Sequence, residues 1–162
     1  MNEGTETRKT VLLLGAYGLA GSAIAHGLLA ETDARLLLTG RDAAKLSALA
    51  NQLGSSRVET RILDAFDAPA LRGVCDHADL AINAVGPYAA GGADIARTVV
   101  ESGTSYIDFA NEQVHYRRLE SLDARARERG VMLLTAAGAV PGVSTLVALH
   151  AARQLPETDE LA

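Results

Sequence analysis

Three glycines, each separated from the next by two residues, constrain this chain more than anything else in it. Gly15-Ala16-Tyr17-Gly18-Leu19-Ala20-Gly21 follows directly on the apolar run Val11-Leu12-Leu13-Leu14. That run is too short for a helix and reads as a parallel strand buried on both faces. Leu19 to Ala30 reads as the helix behind it, with Leu19, Ala23 and Leu29 among its apolar positions. A strand entering a helix through such a turn can bend tightly at Gly15, leave bare backbone at Gly18 and bring the helix close to the sheet at Gly21. The pyrophosphate of a dinucleotide makes the same demands, because it sits on the free N–H groups of a helix N-terminus. The spacing is G-x-x-G-x-x-G, and Tyr17 stands where the G-x-G-x-x-G form carries its second glycine. By themselves the glycines also fit an ordinary tight turn. Their place inside a strand–helix unit favours the dinucleotide.

The remaining segments keep the same alternation. Arg35 to Thr39 gives a second strand, and Asp42 caps a second helix with Leu46, Leu49 and Leu53 at helical spacing. Arg57 to Leu63 is the third strand, Pro69 to Cys75 a short helix, Leu80-Ala81-Ile82-Asn83 the fourth strand, and Gly91 to Ser102 holds the fourth helix. Ser105 to Phe109 is the fifth strand. Glu112 to Arg129 reads as one charged surface helix with Leu119, Leu122 and Ala126 inward, stopped by Gly130. Val131 to Thr135 is the sixth strand and Val143 to Gln154 the last helix. Strict alternation predicts a parallel sheet covered on both faces. With right-handed crossovers this is a doubly wound, three-layer αβα domain of the Rossmann type, strand order 3-2-1-4-5-6. Residues 1–9 and 155–162 read as tails around a single domain at 10–154.

The 162 residues are 48% hydrophobic but only 4% aromatic, so the expected core is aliphatic. A net charge of −5 argues against nucleic acid or an anionic membrane as partner. Any phosphate must therefore be held by local geometry. One cysteine, Cys75, excludes an intrachain disulfide or a cysteine-rich metal site and reads as a buried thiol. With only His77 near it, no metal site is expected. No apolar run approaches the ~20 residues of a membrane span. The polar N-terminal stretch lacks a secretory core, so the cytoplasm is the expected compartment.

The end of the second strand decides which dinucleotide is expected. NAD sites place an acid there for the ribose diol. Here the stretch is Thr39-Gly40-Arg41-Asp42-Ala43-Ala44-Lys45. Gly40 leaves room, Arg41 offers a fork for a 2′-phosphate, and Lys45 follows one helical turn later. Asp42 is the competing ribose ligand, although an N-cap role suits it better. NADP(H) is the expected cofactor, with NAD(H) the alternative. Asp64, just past the third strand, joins the cofactor-binding candidates.

Taken together, Gly15-x-x-Gly18-x-x-Gly21, Gly40-Arg41, Asn83-Ala84-Val85-Gly86-Pro87-Tyr88, Gly103-Thr104-Ser105-Tyr106-Ile107-Asp108, Asn111-Glu112 and Gly138-Ala139-Val140-Pro141-Gly142 form a recognisable set. The chain resembles the saccharopine dehydrogenase-like oxidoreductases over nearly all of residues 10–148. The Asn83–Tyr88 segment is the more specific part of the match, and the glycine turn the less. The resemblance implies NAD(P)-dependent hydride transfer. It also implies a second, mixed-sheet domain that receives the substrate. Asn83, Ala84, Val85, Gly86 and Pro87 would border the nicotinamide and its ribose. Position agrees, since these residues lie at the carboxyl end of strand four, beside the switch point of the sheet.

Family members run on well past the length of this chain. The expectation is a cofactor domain that lacks its substrate domain and is catalytically incomplete alone. Its exposed apolar surface would be covered by a second copy. No Tyr-x-x-x-Lys pair, nucleophile turn or Walker lysine loop is present. The catalytic residues are thus unassigned, and the candidates for orienting substrate or moving a proton are Asp108 and Glu112. Helix N-terminal carboxylates also occur for dipole reasons alone. His115 and His150 read as ordinary exposed or packed histidines. The expected substrate group is an imine, a carbonyl or an enoyl. The alternatives are a nucleotide-sensing module without turnover, or a structural domain with an empty crevice.

Overall fold

In the computed structural model, which describes residues 8–155, six strands lie in one parallel sheet. Their order is β3-β2-β1-β4-β5-β6, as the alternation predicts. The strands are β1 (Thr10–Leu14), β2 (Arg35–Gly40), β3 (Val58–Ile62), β4 (Leu80–Asn83), β5 (Ser105–Asp108) and β6 (Leu133–Leu134). The helices are α1 (Leu19–Glu31), α2 (Ala43–Leu53), α3 (Ala68–Cys75), α4 (Gly92–Glu101), α5 (Gln113–Glu120), α6 (Asp123–Arg129) and α7 (Ser144–Gln154). Most of both predicted tails, residues 1–7 and 156–162, lies outside the described residues.

The period-two geometry of a strand splits the core into two halves. Leu12 and Leu14 of β1, with Leu37 and Ala81, point to the side of Leu71, Val74, Ile95, Val99 and Tyr106. Val11 and Leu13, with Leu36, Leu38 and Ile82, point to the side of Ala25, Leu46 and Leu49. The central strands are apolar on both faces because helices cover both. β3, at the edge, is exposed over Glu59 to Ile62.

Side chains close the helix ends that position the site. Asp42 Oδ1 accepts the backbone N–H groups of Ala44 at 3.0 Å and Lys45 at 3.1 Å, opening α2. Gly54, at φ 57°, ends it. The Arg57 guanidinium donates to the carbonyls of Leu29 and Thr32, both at 2.6 Å, and so closes the end of α1. α1 itself opens without a side-chain cap.

Two predicted elements differ. The single helix over 112–129 is broken at Ser121–Leu122 into α5 and α6. Ser121 Oγ donates to the Arg118 carbonyl at 2.8 Å, the acceptor that Leu122 N–H would use in a continuous helix. Leu122 N–H turns instead to Leu119 at 2.8 Å, which leaves both leucines buried. The sixth strand pairs over Leu133–Leu134 only, where it meets Tyr106 and Ile107. It is short because the chain beyond Leu134 is drawn off toward Asp108.

No helix among the described residues is long and apolar enough to cross a membrane. Cys75 is 1% exposed, and burial pushes its thiol up to about 11. The native protein at pH 8 is therefore expected to resist iodoacetamide, whereas the urea-unfolded chain reacts. Mass spectrometry of the two reactions checks this, and equal labelling rates would contradict the burial.

Candidate functional site

The carboxyl ends of β1 to β4 open into a crevice of about 240 Å³. Gly15, Tyr17 and Gly18 line it from the β1–α1 turn, Gly40 and Arg41 from the end of β2, Asp64 from behind β3, and Ala84, Val85 and Gly86 from behind β4. These predicted residues come from four separate strand ends. The crevice also takes in Thr39, Leu63, Ala65 and Phe66, which sequence reasoning missed. Phe66 was legible as the one aromatic side chain, flanked by small residues and aspartates, in the stretch behind strand three.

The turn has the form the glycines require. Gly15 sits at φ 74°, and a Cβ there would lie 3.1 Å from the Ala84 carbonyl oxygen. A Cβ on Gly21 would collide with the Gly15 carbonyl oxygen. Only glycine lets α1 start this close to β1. Gly18 is exposed, and its carbonyl accepts Ser22 N–H at 2.8 Å. The first-turn N–H groups of Leu19, Ala20 and Gly21 precede any helical acceptor and have no partner among the described residues. Leu19 projects its side chain outward at 96% exposure, so its share in the site is backbone alone.

Other predicted residues stand beside the crevice. Asn83 is fully buried. Its amide donates to Tyr106 Oη at 2.9 Å and its Oδ1 accepts Val85 N–H at 2.9 Å, so it shapes the turn from below. Pro87 is exposed at the outer edge. Lys45 lies 5.6 Å from the Tyr17 ring centroid and 3.7 Å from Asp42 Oδ2, outside the residues that line the crevice. Asp64 Oδ1 accepts Phe66 N–H at 3.0 Å, which fixes the loop behind β3.

Asp108 and Glu112, the candidates for orienting substrate or moving a proton, do not line the crevice. Asp108 is fully buried. Its Oδ1 accepts the Thr135 hydroxyl at 2.6 Å and the N–H groups of Ala110 at 3.1 Å and Ala136 at 3.3 Å. Its Oδ2 meets His115 Nε2 at 2.6 Å, and His115 is equally buried. Glu112 is spent on backbone, its Oε1 accepting Tyr88 N–H at 3.1 Å and its Oε2 Asn111 N–H at 3.0 Å. A buried carboxylate needs such partners, and these lie inside the fold.

His115, read as an ordinary exposed or packed histidine, is packed: it points inward because it lies four residues before Leu119. Its ring centroid stands 5.5 Å from that of Tyr88. Burial pushes the Tyr88 hydroxyl up to about 12, so it stays a donor and holds the Asn83 carbonyl at 2.9 Å. The loop after β4 is thus braced by Glu112, His115 and its own Tyr88.

A parallel sheet with bare glycine backbone at the switch point, an open helix N-terminus and a cation at the end of β2 defines a dinucleotide-binding domain. The chain belongs to the family of saccharopine dehydrogenase NADP-binding domains, whose model matches residues 11–134. It is 31% identical over 150 residues to the carboxyaminopropylagmatine dehydrogenase of Synechocystis, covering 87% of this chain and 37% of that protein. A trans-acting enoyl reductase of Mycobacterium ulcerans is 28% identical over 158 residues, covering 94% of this chain and 38% of the relative. Apo saccharopine dehydrogenase (L-Glu forming) of Saccharomyces cerevisiae shares the fold with a TM-score of 0.78 at 24% identity, over 91% of this chain and 31% of that one. The chain spans little more than a third of the curated relatives it matches.

Removing the Asp108 carboxylate strands four buried or half-buried donors at once. Asp108→Ala is expected to cost about 3–5 kcal/mol of folding stability. The shift of the urea midpoint measures it, and a loss under about 1 kcal/mol, no more than one ordinary hydrogen bond, would show that the bracing is not needed.

Proposed function

We propose that this chain binds NADP(H) across the strand ends and presents the nicotinamide for hydride transfer to an imine, carbonyl or enoyl group. One observation carries the reading: Arg41 lines the crevice with a guanidinium that has no hydrogen-bond or ion-pair partner among the described residues. Asp42, the acid that would serve a ribose diol, is engaged at the N-terminus of α2. A cation without a partner, beside acids that each hold backbone N–H groups, favours a 2′-phosphate over a diol.

The turn residues Gly15, Tyr17, Gly18, Leu19, Ala20 and Gly21 receive the pyrophosphate on bare backbone. Gly40, Arg41 and Lys45 take the phosphorylated ribose, and Asp64 stands on the adenine side. Asn83, Ala84, Val85, Gly86 and Pro87 hold the nicotinamide and its ribose in place. When bound, the nicotinamide supplies the hydride chemistry, and the protein supplies orientation and a dry wall. Relatives named as a dehydrogenase and an enoyl reductase support that class of reaction.

The substrate reaches this site on a second domain. Support comes from α7, none of whose residues is buried, and from the groove of about 450 Å³ between it and the chain after β6. Val143, Leu146 and Val147 are all more than half exposed there. For the 162-residue chain alone, a second copy covers that face and gives a homodimer, which sedimentation velocity tests. The compartment proposed is the cytoplasm, in keeping with a single unpaired thiol; cell fractionation decides it.

With Asp108 and Glu112 engaged inside the fold, residues 1–162 are expected to bind NADPH without oxidising it. Robust turnover of imine, carbonyl or enoyl substrates would refute this. Arg41→Ala is expected to weaken NADPH about ten- to a hundredfold, the worth of one charge-assisted hydrogen bond, and NADH only a few-fold. Reduced-nicotinamide fluorescence titrations measure both. Equal losses would remove Arg41 as the phosphate reader.

A further inference from the structure

We propose that Tyr17 is a cofactor-specificity residue whose hydroxyl donates to the 2′-phosphate of NADP(H), between the cations of Arg41 and Lys45. The inference rests on the NADP reading above and adds to it a group that carries no charge.

Tyr17 lies in the glycine turn, but its ring reaches across to the end of β2. A Cβ on Gly40 would collide with the ring edge at Cε1 and stand 3.1 Å from Cδ1 and Cζ. Gly40 is therefore the seat of the ring, a role separate from making room for a ribose. The Tyr17 hydroxyl oxygen accepts Asp42 N–H at 3.3 Å, which fixes it at the start of α2. A phenol that accepts one hydrogen bond still has a proton to give. Among the described residues that proton has no acceptor.

The ring is also a shared wall. On one side lies the crevice of about 240 Å³ that holds Arg41; on the other lies a groove of about 220 Å³ lined by Ser22, Lys45 and Gln52. Lys45 Nζ stands 5.6 Å from the ring centroid. Tyr17 thus lines both the cavity that holds Arg41 and the cavity that holds Lys45.

The donors gathered here are a guanidinium, a phenol proton and an ammonium that stands 3.7 Å from Asp42 Oδ2. A phosphate dianion accepts from all three. A ribose 2′-hydroxyl also seeks an acceptor for its own proton; Asp42 Oδ1 already takes two backbone N–H groups, and Asp42 Oδ2 faces Lys45 Nζ at 3.7 Å. Discrimination between the two cofactors then comes from the uncharged hydroxyl as well as from the cations.

The test is a set of fluorescence titrations of NADPH and NADH on the whole chain, wild type against Tyr17→Phe, with thermal melting of each. Phenylalanine keeps the ring on Gly40 and removes only the hydroxyl. The expected result is NADPH binding weakened about tenfold, NADH within twofold, and a melting temperature lowered by no more than a few degrees, through the Asp42 N–H left without its acceptor. Competition by adenosine 2′,5′-bisphosphate is expected to weaken in step, and competition by AMP to stay constant. Unchanged NADPH affinity in Tyr17→Phe, or equal loss for both cofactors, overturns the proposal while leaving the NADP reading intact. A wild-type chain that binds neither cofactor overturns both.

Discussion

Gly21 lies so close beneath the Gly15 carbonyl oxygen that α1 and β1 have no room for a side chain where they meet. That contact sets the height at which α1 begins and so aims its open first turn over the strand ends. Gly15 takes a left-handed conformation, which carries the turn past Ala84 and Val85, just beyond the neighbouring strand. The crevice is the space left over. Its walls are consequences of one helix–strand approach, and the loops behind β2, β3 and β4 only finish them.

Charge around the crevice follows from how the acids are used. The chain carries 20 acidic against 15 basic side chains, a poor setting for a phosphate-rich ligand. Yet the acids near the strand ends are turned onto backbone: Asp42 onto α2, Asp64 onto the loop behind β3, and Glu112 onto Tyr88 and Asn111. Asp108 is withdrawn altogether into the core. A carboxylate that accepts backbone N–H groups has its charge partly answered by their dipoles. Among the described residues the Arg41 guanidinium has no such partner, and it lines the crevice.

The sheet order and crevice were legible because they depend on local signals. Apolar runs of four or five residues, a glycine turn at fixed spacing and an aspartate cap are each written in adjacent residues. The brace behind β4 was not legible, since it is built from contacts across the sequence. His115 meets Asp108 seven residues away, Thr135 reaches it from 27 away, and Glu112 binds Tyr88 from 24 away. A charged helix with an inward histidine differs from a solvated one only through its i+4 neighbour, Leu119, and the highly charged composition masked that hint. The break at Ser121 was hidden for a different reason. It depends on which carbonyl a serine hydroxyl takes, a choice that no propensity records.

The two sides of the crevice are built to different stiffness, and the proposed cofactor uses both. Behind β4 the loop is fixed by Asn83, Tyr88, Glu112 and His115 through half-buried hydrogen bonds and a ring contact. Behind β2 the groups that face a ligand are long, exposed side chains on a helix start. Hydride transfer punishes misplacement of the reacting ring by fractions of an ångström, so rigidity belongs on the nicotinamide side. Recognition of a phosphate tolerates movement, because a guanidinium and an ammonium can follow a charge over several geometries. Tyr17, seated on Gly40, is the fixed point on that looser side. A network buried away from the ligand can therefore govern chemistry it never touches, by deciding which half of the crevice is allowed to move.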